Sequence, residues 1–118
     1  LLGLAFKPNT DDLREAPALE IAQRLIERGA RVQAHDPIAI ERFKRENPAS
    51  GVHVCEDVYK VLEDCDAAIL VTEWTEYREL DWAKLAETMR GKVILDSRLV
   101  LDRDELTNLG FRYVALIE

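Results

Sequence analysis

Glycine is scarce in this sequence and missing where a dinucleotide site would need it. Only 5 glycines occur in 118 residues, and none lies between Gly3 and Gly29. The segment after the first apolar run therefore cannot form the G-x-G-x-x-G loop through which backbone amides approach a pyrophosphate. The chain is not expected to hold a dinucleotide by itself. The 2 cysteines, Cys55 and Cys65, have no paired spacing, and His35 and His53 fall on strand-like runs. All four are read as structural, with no metal constellation. Positive charge is in the minority: 16 Lys and Arg against 23 Asp and Glu leave a net charge of -7. That balance repels nucleic acid and anionic lipid at long range, so an anionic ligand has to be held by a few cations gathered locally. No apolar run approaches the roughly twenty residues of a membrane span, and no basic-then-apolar leader opens the chain. A soluble, cytoplasmic protein is expected. The first residues, LLGLAF, contain no initiator methionine and read as the middle of a strand, which suggests a piece of something longer.

What is present is an ordinary globular composition, 47% hydrophobic and 33% charged, enough for one domain with one core. Six short apolar runs, Leu1–Phe6, Arg31–His35, Val52–Cys55, Ala67–Val71, Lys92–Leu95 and Arg112–Leu116, read as strands. Helical patterns separate them. The first, Pro17–Arg28, carries Ala18, Ile21, Ala22, Leu25 and Ile26 on one face and stops at Gly29. The second is expected to start at Asp36 with Pro37 in its first position and to reach about Glu46. Further helices follow Asp57, Asp81 and Asp102, the last with a capping-box Glu105. Strict alternation implies parallel pairing through right-handed crossovers. The expected fold is a Rossmann-like, doubly wound α/β sheet of about six strands in the order 3-2-1-4-5-6, with helices on both faces in three layers.

In such sheets ligands bind beyond the carboxyl ends of the strands, where the strand order reverses. For this order the switch point lies between the first and fourth strands. Phe6 and Lys7 follow the first, Thr72, Glu73 and Trp74 the fourth, and Asp96, Ser97 and Arg98 end the fifth. Lys7 and Arg98 would meet an anion as charges from the rim, and Pro8 biases Lys7 toward an extended conformation. Asp11 and Asp12 are either partners for Lys7 and Arg14 or acids complementing the first helix, and that structural role is set before a catalytic one. Asp36 is read as a cap before it is read as a ribose ligand. Trp74, Tyr77 and Trp82 are read as core or rim aromatics before base-stacking platforms.

Four segments in order, GLAFKPNTDDLREAP, GARVQAHDP, TEWTEYRELDW and ILDSRLVLD, resemble the carboxy-terminal domain of the UDP-glucose/GDP-mannose dehydrogenases. Among these the UDP-glucose 6-dehydrogenases are most similar. The resemblance spans essentially residues 1–118 and implies a UDP-sugar-binding domain of an NAD-dependent enzyme that oxidises UDP-glucose to UDP-glucuronate. Within the family, the implied alternatives are a UDP-N-acetylmannosamine or GDP-mannose dehydrogenase. It further implies that Phe6, Lys7 and Arg98 contact the nucleotide sugar and that Arg14 reaches NAD held mainly by an amino-terminal domain. A central dimerising region would make the full-length protein a homo-oligomer. The family's catalytic residues belong to those other parts, so no catalytic residue is assigned here and this chain alone is expected to be inactive. Ala16 stands where the family often has serine, which removes a side-chain cap. A receiver-type signalling module is the contrasting class. It needs an acceptor aspartate ending the third strand and a lysine ending the fifth, where this sequence has Cys55-Glu56 and Asp96-Ser97-Arg98.

Overall fold

In the computed structural model, which describes residues 1–116, every residue from Leu1 to Ala5 is buried, yet this stretch forms no strand ladder. Leu2 alone makes isolated parallel bridges, to His35 on one side and to Leu70 on the other. The expected sheet of six strands is corrected, among the described residues, to five strands in two parallel sheets. One pairs β1 (Gln33–Ala34) with β2 (His53–Val54). The other pairs β3 (Ala67–Leu70) with β4 (Val93–Asp96), and β4 with β5 (Arg112–Ala115). Leu2 lies between them: its amide donates to the Ile69 carbonyl at 2.8 Å, while the next amide, of Gly3, donates to the His35 carbonyl at 2.8 Å.

The physical reason for the missing strand lies in the residues after Leu2. Gly3 sits at φ +107, outside extended geometry. The amides of Leu4 and Ala5 then turn to the Asp36 carboxylate, at 2.8 and 3.0 Å, in place of a neighbouring strand. An apolar run of suitable length thus stays buried while its ladder is broken.

Alternation along β3 sorts the core. Ala68 and Leu70 join one apolar cluster with Leu62, Trp82, Leu85 and Leu106. Ile69 and the following Val71 face a second cluster with Ala18, Ala22, Ile40 and Phe43. Helices therefore cover both faces, as period-two alternation in a doubly buried strand requires. The second face carries α1 (Ala18–Glu27) and α2 (Ile40–Glu46); the first carries α3 (Val58–Leu62), α5 (Trp82–Thr88) and α6 (Arg103–Asn108). A short helix, α4 (Thr75–Arg78), was not anticipated.

Aspartates start three helices where the sequence placed them: Asp57 accepts from the Tyr59 and Lys60 amides, Asp81 from Lys84, and Asp102 from Glu105. The helix expected from Asp36 begins later, at Ile40, because residues 37–39 form turns. α1 has no side-chain cap at Pro17. It ends where Gly29 adopts φ +92.

Candidate functional site at the carboxyl ends of the strands

Three loops meet beyond the carboxyl ends of the parallel strands, and hydrogen bonds lock them to one another. Thr72, buried just past β3, donates from Oγ1 to the Ala5 carbonyl at 2.8 Å. Gly3 permits that approach, since a Cβ there would fall 2.3 Å from Thr72 Oγ1 and 2.7 Å from the Thr72 amide nitrogen. From the other side, Arg98 Nε donates to the Val71 carbonyl at 3.0 Å, and the Ser97 hydroxyl donates to the Leu70 carbonyl at 2.6 Å. The backbone leading into Phe6 and Lys7 and the guanidinium of Arg98 therefore both abut the two residues that follow β3. Phe6 and Lys7 are exposed. Neither Lys7 nor Arg98 takes part in an ion pair among the described residues.

Arg14 stands apart from this group. Its side chain is 89% exposed, and its guanidinium is forked onto Asp12, with NH2 2.9 Å and Nε 3.1 Å from the carboxylate oxygens. The hydrogen bonds from Arg14 hold the Asp12 carboxyl down to about 2 and raise the guanidinium further. Asp11 pairs with Arg42 NH1 at 3.2 Å instead. Both aspartates thus act as partners for arginines, and neither lies in the first turn of α1, which begins only at Ala18. A concavity of about 640 Å³ lies between this loop and α2, lined by Asp12, Arg14 and Arg42 among others. Phe6, Lys7 and Arg98 do not line it.

The aromatics of TEWTEYRELDW are core residues. Trp74, Tyr77 and Trp82 are buried, and each satisfies its polar atom. Trp74 Nε1 donates to Asp36 Oδ2 at 3.3 Å, the Tyr77 hydroxyl to the His35 carbonyl at 3.1 Å, and Trp82 Nε1 to the Tyr77 carbonyl at 3.1 Å. None offers a face to a base. His35 Nδ1 lies 3.0 Å from the Tyr77 hydroxyl. Burial lowers the imidazole's pKa and pushes the phenol's up.

Comparison with known proteins converges on one family. The model of the UDP-glucose/GDP-mannose dehydrogenase family, UDP binding domain, matches residues 1–103. This chain belongs to that family. It is 39% identical over 116 residues to a UDP-glucose 6-dehydrogenase of Rhizobium meliloti (strain 1021), covering 98% of this chain and 26% of the relative. It is 41% identical over 113 residues to the UDP-glucose 6-dehydrogenase TuaD of Bacillus subtilis (strain 168), covering 96% and 24%. Among solved structures, a UDP-glucose dehydrogenase from Pyrobaculum islandicum superimposes with TM-score 0.70 at 45% identity, covering 84% of this chain and 21% of that one. An NDP-N-acetyl-D-galactosaminuronic acid dehydrogenase from Methanosarcina mazei Go1 gives 0.79 at 29%, covering 97% and 23%. The chain spans about a quarter of the length of the curated relatives it matches.

Two strand-end aspartates organise the loops of this domain, one of them the residue read above as a cap. Asp36 is 2% exposed and its two oxygens accept from the amides of Leu4, Ala5, Ile38 and Ala39 as well as Trp74 Nε1. With every lone pair engaged, it is a structural acceptor and has nothing left for a ribose. Asp96 is fully buried and accepts from the amides of Arg98, Leu99 and Leu101 and from the Tyr113 hydroxyl. That last bond, after burial, pushes the Tyr113 phenol up to about 12. Asp36 was legible as a cap on the Ile38 and Ala39 amides, but its bonds to Leu4, Ala5 and Trp74 had no sequence signal, and Asp96 carried none beyond its place at a strand end. Cys65 Sγ donates to the Val61 carbonyl at 2.9 Å, and burial pushes the thiol up.

Proposed function

We propose that this chain is the UDP-binding domain of an NAD-dependent UDP-glucose 6-dehydrogenase, which oxidises the sugar C6 alcohol of UDP-glucose to the carboxylate of UDP-glucuronate. The observation that carries the reading is the convergence of the Lys7 segment and Arg98 on Val71–Thr72, at the rim where a doubly wound fold takes its ligands. Two cations there suit a diphosphate, each charge-assisted hydrogen bond being worth about 1.5 to 3 kcal/mol. Phe6 supplies an exposed apolar surface beside them. The similarity to UDP-glucose 6-dehydrogenases over nearly the whole chain supports the sugar assignment. The likeness to an enzyme named for an N-acetylated sugar acid keeps a UDP-N-acetylmannosamine or GDP-mannose dehydrogenase as the second reading, on the same nucleotide site.

Catalysis and most of the NAD site are assigned to parts of the enzyme outside this chain. Arg14 fits one contact with the cofactor, an exposed guanidinium on a loop; no glycine loop is present to hold the rest. All four exposed large hydrophobics among the described residues, Phe6 41%, Ile38 52%, Leu99 54% and Leu116 44%, follow the carboxyl ends of the parallel segments. That rim is accordingly where we place the amino-terminal domain of the same enzyme, with the central region making the homo-oligomer. No helix is long and apolar enough to cross a membrane among the described residues, and the enzyme is assigned to the cytoplasm.

The reading is tested by titrating UDP into this chain calorimetrically. Weak binding is expected, and Lys7→Ala and Arg98→Ala should each weaken it by about tenfold. Unchanged affinity in both variants would refute the site.

A further inference from the structure

We infer that Asp36 and Asp96 are a matched pair of positioning residues, each holding the backbone from which one of the two UDP-binding cations projects. The inference rests on the reading of Lys7 and Arg98 given above. Each carboxylate is buried at a strand end, and no arginine or lysine forms an ion pair with it among the described residues. Neutral N–H and O–H groups alone satisfy them. A buried carboxylate solvated in this way is costly unless its donors are held in place, so it persists where the surrounding backbone is over-determined.

The two sets of donors are not arbitrary. Asp36 Oδ2 gathers the amides of Leu4 and Ala5 at 2.8 and 3.0 Å, and Phe6 and Lys7 follow directly. Its other oxygen takes the amides of Ile38 and Ala39, each at 2.8 Å. One side chain thereby ties the exit of the first buried segment to the turn after β1. Asp96 Oδ1 takes the amide of Arg98 itself at 3.0 Å and that of Leu99 at 2.8 Å, while Oδ2 takes Leu101 at 2.9 Å and the Tyr113 hydroxyl at 2.8 Å. Leu99, exposed, is held at φ +60. A branched residue in the left-handed region is strained, and strain of this kind persists only where neighbouring contacts impose it. Here Asp96 imposes it on the residue next to Arg98.

Positioning and mere structural support predict different couplings. In UDP calorimetry on this chain, Asp36→Asn should weaken binding by about tenfold, because an amide cannot accept at both former oxygens. In a Lys7→Ala background the same change should cost less than about twofold, since the cation it positioned is gone. Asp96→Asn should behave likewise with Arg98→Ala. The crossed pairs, Asp36→Asn with Arg98→Ala and Asp96→Asn with Lys7→Ala, should be additive. If an asparagine variant is too unstable to titrate, Trp74→Phe removes one donor from Asp36, and Tyr113→Phe removes one from Asp96. The same pattern of coupling is then expected at smaller amplitude. Affinity unchanged in the asparagine variants, or losses additive in all four pairs, would overturn the positioning roles while leaving the UDP site intact. Affinity unchanged in Lys7→Ala and Arg98→Ala would overturn the UDP site first, and the positioning roles with it.

Discussion

Replacing Gly3 by alanine should be among the most damaging single changes in this chain, and the structure separates its causes. The first is conformational: Gly3 sits at φ +107, where a side chain costs about 1 to 3 kcal/mol. The second is contact. The new Cβ would lie 2.3 Å from Thr72 Oγ1, 2.4 Å from Thr72 Cβ and 2.7 Å from the Thr72 amide nitrogen. Two of those atoms do not move with side-chain rotation, so the backbones must part, at about 1 to 3 kcal/mol. The third is the bond from Thr72 Oγ1 to the Ala5 carbonyl, lost at about 1 kcal/mol when the segments separate. Together these cost about 5 kcal/mol, a large share of the roughly 5 to 15 kcal/mol that stabilises a domain. At about 4 °C per kcal/mol the melting temperature should fall by about 20 °C. Circular dichroism melts and urea titrations measure both quantities. Gly29→Ala is the control, since Gly29 sits at φ +92 with nothing within 4 Å of its Cβ and should show the conformational part alone. Thr72→Ala should not rescue Gly3→Ala, because Cβ and the amide nitrogen remain. A Gly3→Ala chain no less stable than Gly29→Ala would refute the close-packing argument.

Two further predictions concern protons. Asp12 should titrate near 2 in the folded chain, below its ordinary 3.8, because Arg14 holds the carboxylate. A depressed acid stabilises above its unfolded value, so that contribution should fade as pH drops from about 4 toward 2, and Arg14→Ala should raise the NMR midpoint part of the way toward 3.8, because the amide of residue 14 and the Arg42 charge still act on the carboxylate. A wild-type midpoint already at the ordinary value would sink the assignment. His35 behaves as a buried base with its pKa lowered from 6.5. The unfolded chain then binds the proton more readily, so the folded state should lose stability as pH falls through 6.5. Urea midpoints compared above and below that pH, in the wild type and in His35→Gln, measure it. An unaltered slope in the variant would assign the acid sensitivity elsewhere.

How far the sequence could be read depended on the range over which each feature is decided. Helix starts at Asp57, Asp81 and Asp102 were legible because a cap bonds amides two or three residues ahead. So were the parallel alternation and the inward face of Trp82, which follow from apolar spacing, whereas Trp74 and Tyr77 could be read only as core or rim and the packing buried them. The first segment was misread as a strand for the opposite reason. Its apolar run predicts burial correctly, but whether its amides meet a strand or a carboxylate was settled by Asp36, 32 residues away from Leu4.

The ordered motifs, by themselves, determined the family and the alternation of short strands with helices. Local spacing and residue type suffice for both. Tertiary structure alone decided that the sheet divides at Leu2, that Arg98 leans on Val71 rather than on a carboxylate, and that two buried aspartates each gather a loop. Those outcomes depend on which hydrogen-bond partner packing brings to a given group among residues far apart in the chain. A pattern read along the chain carries no information about that competition, because donors and acceptors of equal local standing are separated only by where the packed core brings them.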